Sequence, residues 1–183
     1  MSSAFVIIDV QKTWTDNNPL TGKRINAAAR SLRDTMPIIW VYMTRKDEGR
    51  PVTLARPGII AEMFNSLTGS YKPTYYPSHS DFVVTKQDPN GFAGTNLEDF
   101  LKNRHIEKLY FSGFLSSQCV FSTAANAAIL GFDSHIVTDL TSDYQDKGPI
   151  FWQNESTIRA VECRGSHAKV KMVGSRDIGL NLA

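Results

Sequence analysis

The chain has 183 residues, of which 42% are hydrophobic and 21% are charged, and its formal net charge is +2. This composition suits one globular domain over residues 1–183, and so small a charge argues against a nucleic-acid partner. No apolar run reaches the length of a membrane span, and the N-terminus lacks the features of a signal peptide. The two cysteines, Cys119 and Cys163, suggest no disulfide framework. We therefore expect a cytoplasmic protein that binds neither nucleic acid nor membranes.

Strand and helix patterns alternate along the first half of the chain. The continuous apolar runs Ala4–Ile8 and Ile38–Met43 are typical of strands buried on both faces. Between them, apolar residues recur at helical spacing over Gly22–Met36 and predict a helix. The irregular region 44–80 carries four prolines and many charges. We expect it to form a lid-like loop with a short helix near residues 59–67.

The second half of the chain continues this alternation. Strands are predicted at Asp81–Thr85, Leu109–Ser112, Ser134–Thr138 and Ala168–Val173, and helices at Thr95–Asn103, Cys119–Leu130 and Ile150–Cys163. Because the strands are short and continuously apolar, they favour a parallel sheet with helices on both faces. The sequence therefore predicts an α/β fold of three layers (α/β/α), with a six-stranded, mostly parallel sheet of Rossmann-like topology.

Three reactive residues fall at or beyond the carboxyl ends of predicted strands, where open parallel sheets place their ligands. Asp9 follows the first strand, Lys86 follows the third, and Cys119 lies beyond the fourth. Ser116 or Ser117 is a candidate N-cap for the next helix. Such a cap would put Cys119 in the first helical turn, where the helix dipole favours a thiolate over a thiol.

An acid, an ammonium and a thiol that meet at one edge could cleave an amide or an ester. Asp9 would take the thiol proton, protonate the leaving amine and then activate water against the thioester. The backbone N–H groups of Leu115 and Cys119 could hold the developing oxyanion. Taken singly, each residue has a simpler interpretation: a capping aspartate, a solvated lysine and a buried core cysteine.

Three motifs resemble the isochorismatase-like cysteine hydrolase superfamily. They are Phe5–Gln11 with Trp14, Lys86 followed by Gly91–Leu97, and Gly113–Val120 followed by Thr123, Ala124, Ala127 and Gly131. Each motif is weak alone, but their order and spacing are specific and cover almost the whole chain. The resemblance implies a triad of Asp9, Lys86 and Cys119, and a cis peptide bond between Phe114 and Leu115. It also implies an oxyanion site at the Leu115 N–H and assembly into a homodimer or homotetramer.

A substrate pocket is expected around Gln11, Trp14, Phe92, Phe114 and Leu115. Ordinary core packing would account equally well for an aromatic such as Trp14. Nicotinamidases in the family bind a metal through an Asp-x-His pattern and a further histidine, and this chain lacks that pattern. We therefore expect neither a metal nor a cofactor.

These features favour a metal-independent cysteine hydrolase that cleaves a C–N bond of a small amide, carbamoyl or ureido substrate. Members that cleave a vinyl ether do not always retain the thiol, so Cys119 favours C–N cleavage. Vinyl ether hydrolysis nevertheless stays open, as does a binding or regulatory protein of the same fold. Nucleotide binding ranks last, because no GxGxxG follows the first strand and no GxxxxGK[ST] occurs.

Overall fold

Continuous apolar runs build the centre of a seven-stranded sheet in the computed structural model, which describes residues 2–44, 69–143, 158–163 and 166–182. The strands are β1 (Ser2–Ile8), β2 (Ile38–Met43), β3 (Phe82–Lys86), β4 (Ile106–Phe114), β5 (Asp133–Ser142), β6 (Ile158–Cys163) and β7 (Ser166–Val173). The α-helices are α1 (Lys12–Thr15), α2 (Pro19–Leu32), α3 (Leu97–Asn103) and α4 (Phe121–Ile129). Among these helices none combines the length and hydropathy that crossing a bilayer requires.

The sheet has the order β3-β2-β1-β4-β5-β7-β6. All strands run parallel except β6, which pairs antiparallel with β7. The predicted α/β fold and all six predicted strands are confirmed, and β6 is an addition. The chain runs outward from β1 through β2 to β3, and later from β4 outward through β5. The order therefore reverses between β1 and β4, and a crevice forms outside the carboxyl ends of strands at such a point.

The two faces of β1 explain why its sequence is apolar without alternation. Ala4, Val6 and Ile8 belong to one buried cluster, and Phe5 and Ile7 belong to another. Successive side chains of a strand point to opposite faces, so a strand covered on both sides needs apolar residues at every position. Helices α3 and α4 supply the rest of the first cluster, and α2 packs into the second. This arrangement is the predicted three-layer architecture.

Helix α2 lies earlier in the chain than the predicted span Gly22–Met36. Pro19 occupies its first turn, where the missing N–H of proline costs no hydrogen bond. The helix ends at Leu32, whose carbonyl accepts from the Thr35 hydroxyl at 2.8 Å. A proline at the first turn and a threonine hydroxyl after the last turn therefore mark the two ends of this helix.

The predicted helix over Ile150–Cys163 is wrong in its second part. Residues 158–163 form β6, with Val161 opposite Ala168 of β7. Helical spacing in so short a segment is ambiguous, whereas the β-branched residues and an available edge of β7 favour a strand. Residues 150–157 and the predicted short helix at 59–67 lie outside the described residues.

The predicted lid-like loop at 44–80 is described only at its two ends. Its return segment begins with a 3-10 turn, Gly69–Tyr71, and Pro73 forms an isolated antiparallel bridge with Gln11. At the start of the loop, the Thr44 N–H donates to the Lys86 carbonyl at 2.8 Å. Both described ends are therefore held close to the carboxyl edge of the sheet.

Candidate active site

Asp9 occupies the first position after β1 and has an unusual backbone conformation. Its φ of 51° lies in the left-handed region, which residues with a side chain rarely adopt. The Asp9 N–H donates to the Val41 carbonyl and the Asp9 carbonyl accepts from the Gln11 N–H, both at 2.8 Å. These bonds hold the bend at the switch point of the sheet, with the Asp9 side chain only 1% exposed.

Lys86 is the last residue of β3 and is completely buried. Its Nζ lies 2.8 Å from Oδ2 of Asp9 and donates to the Asp88 carbonyl at 3.2 Å. Burial lowers the pKa of Lys86, but attraction to Asp9 and Cys119 outweighs it, so the net pKa is raised above 10.5. Lys86 is therefore an ammonium at neutral pH and balances the buried carboxylate.

The Asp9 carboxylate is charge-balanced but keeps its capacity to accept hydrogen bonds. Within the described residues, neither Oδ1 nor Oδ2 receives a well-directed hydrogen bond, even though Oδ2 contacts the Lys86 ammonium. A buried carboxylate without donors is rare and is expected at a reactive site. This carboxylate can accept a proton from a neighbouring group.

Cys119 supplies that neighbouring group. Its side chain is 7% exposed and interacts electrostatically with both Asp9 and Lys86. Burial and the Asp9 charge raise the pKa of the Cys119 thiol to about 12, and Lys86 opposes them only in part. Burial and the nearby carboxylate therefore act against the helix dipole, which the sequence predicts to favour a thiolate.

The turn that carries Cys119 also differs from the prediction at its start. Residues Ser116–Val120 form a π-helical turn directly after β4, and α4 begins only at Phe121. Ser116 and Ser117 lie inside this turn, so neither is the N-cap. The Ser116 hydroxyl is buried without a partner in the described part of the chain. The Ser117 hydroxyl donates to Oδ1 of Asp143 at 2.8 Å.

The peptide bond between Phe114 and Leu115 is cis, as the family resemblance implies. The Leu115 carbonyl accepts from the N–H groups of Gln118 and Val120, at 3.1 and 3.2 Å. These two bonds close the turn on either side of Cys119. A role for the Leu115 and Cys119 N–H groups in holding an oxyanion stays a prediction.

The expected pocket residues divide between the two faces of the sheet. Phe114 and Leu115 are buried in the cluster that includes Phe5, and Trp14 packs against it partly exposed. Phe92 packs on the opposite cluster. The structure therefore does not bring Phe92 together with the other three in one apolar cluster, and their contact with a substrate stays a prediction.

Gln11, also expected in the pocket, has a structural task that the sequence does not signal. Its Oε1 accepts from the Met43 N–H at 3.0 Å, and its Nε2 donates to the Met43 carbonyl at 2.9 Å and to the Tyr71 carbonyl. The Gln11 side chain thus joins the end of β2 and the returning loop to the segment that directly follows Asp9. Both of its donors are used, which leaves none for a substrate.

Comparison with known sequences identifies the family. The sequence model of the Isochorismatase domain matches residues 3–149. This chain belongs to the isochorismatase family. It is a hydrolase of that family, and the buried cluster of Asp9, Lys86 and Cys119 lies at the edge of the sheet where ligands bind in this fold class.

Related proteins carry names that state different activities. The family member described here is 33% identical to the secreted isochorismatase effector Isc1 of Verticillium dahliae, over 77% of this chain and 73% of that protein. It is 29% identical to the ureidoacrylate amidohydrolase RutB of Klebsiella pneumoniae, over 61% of this chain and 42% of that protein. The crystal structure of N-carbamoylsarcosine amidase from Thermoplasma acidophilum matches with a TM-score of 0.66 and 20% identity, covering 96% and 97% of the two chains. At that identity the likeness establishes the fold.

Proposed function

We propose that this isochorismatase-family hydrolase uses Cys119 to cleave the C–N bond of a small amide, carbamoyl or ureido compound through a thioester. The observation that carries the proposal is the buried contact of a thiol with an ammonium–carboxylate pair whose ionised groups lie 2.8 Å apart. A buried charge pair with unused acceptor capacity is costly to stability, and such a cost is expected where the groups take part in a reaction.

The first half of the reaction consumes the thiol proton. Asp9 accepts the proton from Sγ of Cys119 as the sulfur attacks the carbonyl carbon, and Lys86 stabilises the thiolate as it forms. A tetrahedral intermediate with a negative oxygen results. Its collapse breaks the C–N bond, and the proton held by Asp9 passes to the leaving nitrogen. The products of this half are a free amine or ammonia and a thioester on Cys119.

The second half restores the enzyme. The Asp9 carboxylate, now deprotonated, takes a proton from water as the water oxygen attacks the thioester carbonyl. Collapse of this second intermediate breaks the C–S bond and releases an acid. Asp9 returns the proton to the departing sulfur, so the thiol and the carboxylate are regenerated. Each group ends in the state in which it began.

Thiol chemistry favours C–N cleavage over the alternative reaction of the family. When the thiol displaces nitrogen, an amide carbonyl gives a thioester and a carbamoyl or ureido carbonyl gives the analogous thiocarbamate, whereas a vinyl ether offers no carbonyl for the thiol to attack. The proposal is also supported by two relatives, which are named an amidohydrolase and an amidase. The name of Isc1 supports hydrolysis of a vinyl ether as the second candidate. A small-molecule substrate, a cytoplasmic location and a homodimer or homotetramer complete the proposal.

The decisive experiment combines a substrate panel with capture of the intermediate. Ureido, carbamoyl and primary amide compounds are screened for ammonia release, and isochorismate is included as the vinyl ether. Turnover of an amide-type compound, with a mass increase on Cys119 after acid quenching, supports the proposal. Cys119→Ala is expected to lower kcat by at least about 1000-fold. Cys163→Ser serves as the control for loss of a thiol elsewhere in the chain.

Two outcomes would overturn this proposal in different ways. Turnover of isochorismate by both wild type and Cys119→Ala would show that the protein hydrolyses a vinyl ether without its thiol. Turnover of an amide by Cys119→Ala at the wild-type rate would remove the thiol from the mechanism while keeping the substrate class. Either result leaves the fold and family unchanged.

A further inference from the structure

Thr123 joins the turn that carries the nucleophile to a second loop of the site. It lies on α4 and is completely buried. Its hydroxyl donates to the Cys119 carbonyl at 2.7 Å and accepts from the Gly91 N–H at 3.0 Å. The Pro89 carbonyl lies farther away, at 3.4 Å. Because a hydroxyl has a single proton, the shorter contact to Cys119 is its donor bond.

The loop on the other side of Thr123 is the loop that holds the Lys86 ammonium. Nζ of Lys86 donates to the Asp88 carbonyl, and Oδ1 of Asp88 accepts from the Asn90 N–H at 2.9 Å. The Gly91 carbonyl accepts from the Thr95 hydroxyl at 2.7 Å. The loop is therefore fixed at several points between Lys86 and α3. Of the contacts described for this loop, only the hydrogen bond from the Gly91 N–H to the Thr123 hydroxyl connects it to the Cys119 backbone.

Close packing makes this contact specific. A Cβ atom at Gly91 would lie 3.0 Å from Cγ2 of Thr123 and 3.3 Å from its hydroxyl oxygen. Both distances are tighter than ordinary packing, so a side chain at position 91 would push the loop away from α4. The family resemblance includes both residues but does not say that they touch.

We propose that Thr123 is a positioning residue, whose hydroxyl sets the distance of Cys119 from the Asp9–Lys86 pair by binding the nucleophile turn to the Lys86 loop. This inference rests on the proposed thiol mechanism and adds a residue that never touches the substrate. Misplacement of a reacting group by about 1 Å can lower a rate about 100-fold. One buried hydroxyl that bridges two catalytic segments can therefore control the rate.

The test compares substitutions that each remove a buried hydroxyl bound to a backbone carbonyl in or next to α4. Thr123→Val keeps the shape and leaves the Gly91 N–H without an acceptor, and Thr123→Ser restores the hydroxyl. Ser134→Ala is the matched control, because the buried Ser134 hydroxyl donates to the Ala124 carbonyl of α4 at 2.8 Å. We expect Thr123→Val to lower kcat by about 10- to 100-fold with KM changed less than about threefold. Thr123→Ser is expected to recover most of kcat, and Ser134→Ala to retain it.

A second measurement needs no substrate. The rate of Cys119 alkylation by iodoacetamide is followed against pH, with the labelled cysteine identified by mass spectrometry. Thr123→Val is expected to shift this profile toward lower pH, because a displaced thiol escapes part of the burial and of the Asp9 field. Ser134→Ala is expected to follow the wild-type profile.

Each outcome separates this inference from the proposed function. If Cys119→Ala is inactive while Thr123→Val matches Ser134→Ala in kcat and in the alkylation profile, the positioning role is wrong and the thiol mechanism stands. If Cys119→Ala remains active, the thiol mechanism is wrong. In that case, if Thr123→Val also has the wild-type alkylation profile, the positioning role is wrong as well. If its profile is shifted, Thr123 positions the thiol, although the thiol is not the nucleophile.

Discussion

Gly113 of β4 lies beside Ile8 of β1 at a separation that no side chain would allow. The two residues are partners in the parallel register of these strands. The φ of Gly113 is 114°, and a Cβ there would lie 2.0 Å from the Ile8 carbonyl oxygen. Because the obstructing atoms belong to the backbone, no rotamer change can relieve the clash. The close approach sits directly before Asp9 on one strand and before the cis peptide on the other.

Gly113→Ala is therefore expected to lower the free energy of unfolding by at least about 3 kcal/mol, because it adds a backbone clash to the strain of a positive φ. Urea denaturation followed by circular dichroism measures the loss. Gly131→Ala is the matched control, since Gly131 has a φ of 93° but open space around its Cβ position. The free energy of unfolding of Gly131→Ala should fall by only about 1–2 kcal/mol, which is the cost of the positive φ alone. Equal losses in the two variants would contradict the clash.

Asp9→Asn should separate thiol reactivity from catalysis. The Asp9 charge is one cause of the raised pKa of Cys119, and the Lys86 ammonium, which lowers it, remains in the variant. Cys119 should therefore react with iodoacetamide at pH 8 at least about threefold faster than in wild type. Hydrolysis should fall at least about 100-fold, because the group that accepts and returns the proton is lost.

Asp88→Asn is the control for this charge removal. Asp88 is an exposed aspartate two positions after Lys86, and its Oδ1 accepts a hydrogen bond that an amide oxygen can also accept. It should behave as wild type in both assays. Slower alkylation of Asp9→Asn across the whole pH range would show that Asp9 does not hold the thiol in its protonated form.

The sequence predicts Asp9, Lys86 and Cys119 at one edge of the sheet, and in the structure Asp9 and Lys86 lie 2.8 Å apart with Cys119 in their electrostatic field. Each follows a continuous apolar run such as Ala4–Ile8, and parallel strands bring their carboxyl ends to one edge. This arrangement places the three residues at the same edge, and the family resemblance implies that they form one triad. The protonation state of Cys119 could not be predicted in the same way, because it depends on burial and on the distance to Asp9.

Contacts between residues far apart in the chain could not be predicted either, because they also depend on distances in the folded protein. The amide of Gln11 binds backbone groups 32 and 60 positions away, and an isolated glutamine carries no pattern that predicts such partners. Strand β6 was missed because six residues with apolar side chains three positions apart fit a helix as well as a strand. Only pairing with β7 distinguishes the two.

Gln11→Leu tests the task that the structure gives this amide. The substitution leaves the Met43 N–H and the Met43 and Tyr71 carbonyls without their partner, and it is expected to destabilise the protein by about 2–4 kcal/mol. Urea denaturation at pH 7 measures the change. Gln118→Leu, at an exposed position, should change stability by less than about 0.5 kcal/mol. A Gln11→Leu variant as stable as Gln118→Leu would show that the hydrogen bonds of the Gln11 amide do not contribute to stability.

A buried histidine, His135, lies at the opposite end of the sheet, near the start of β5. Nε2 of His135 lies 2.9 Å from Oδ2 of Asp133, and the imidazole packs on Tyr110 with ring centres 5.2 Å apart. Burial lowers the pKa of His135 below 6.5, Asp133 opposes this effect, and Lys171 and Lys108 add to it. The folded protein therefore resists protonation of this histidine more than the unfolded chain does.

Stability should consequently fall as the pH drops below 6.5, because the unfolded chain takes up the His135 proton first. At a pH well above 6.5 the imidazole is neutral in both states and contributes no pH dependence. His135→Gln removes the titration and keeps a donor for Asp133, so it should lose less stability than wild type between pH values of about 7.5 and 5.5. Urea denaturation at the two pH values measures the difference. His79→Gln, at an exposed position, should follow wild type, whereas an equal loss in His135→Gln would mean that another group sets the acid limit.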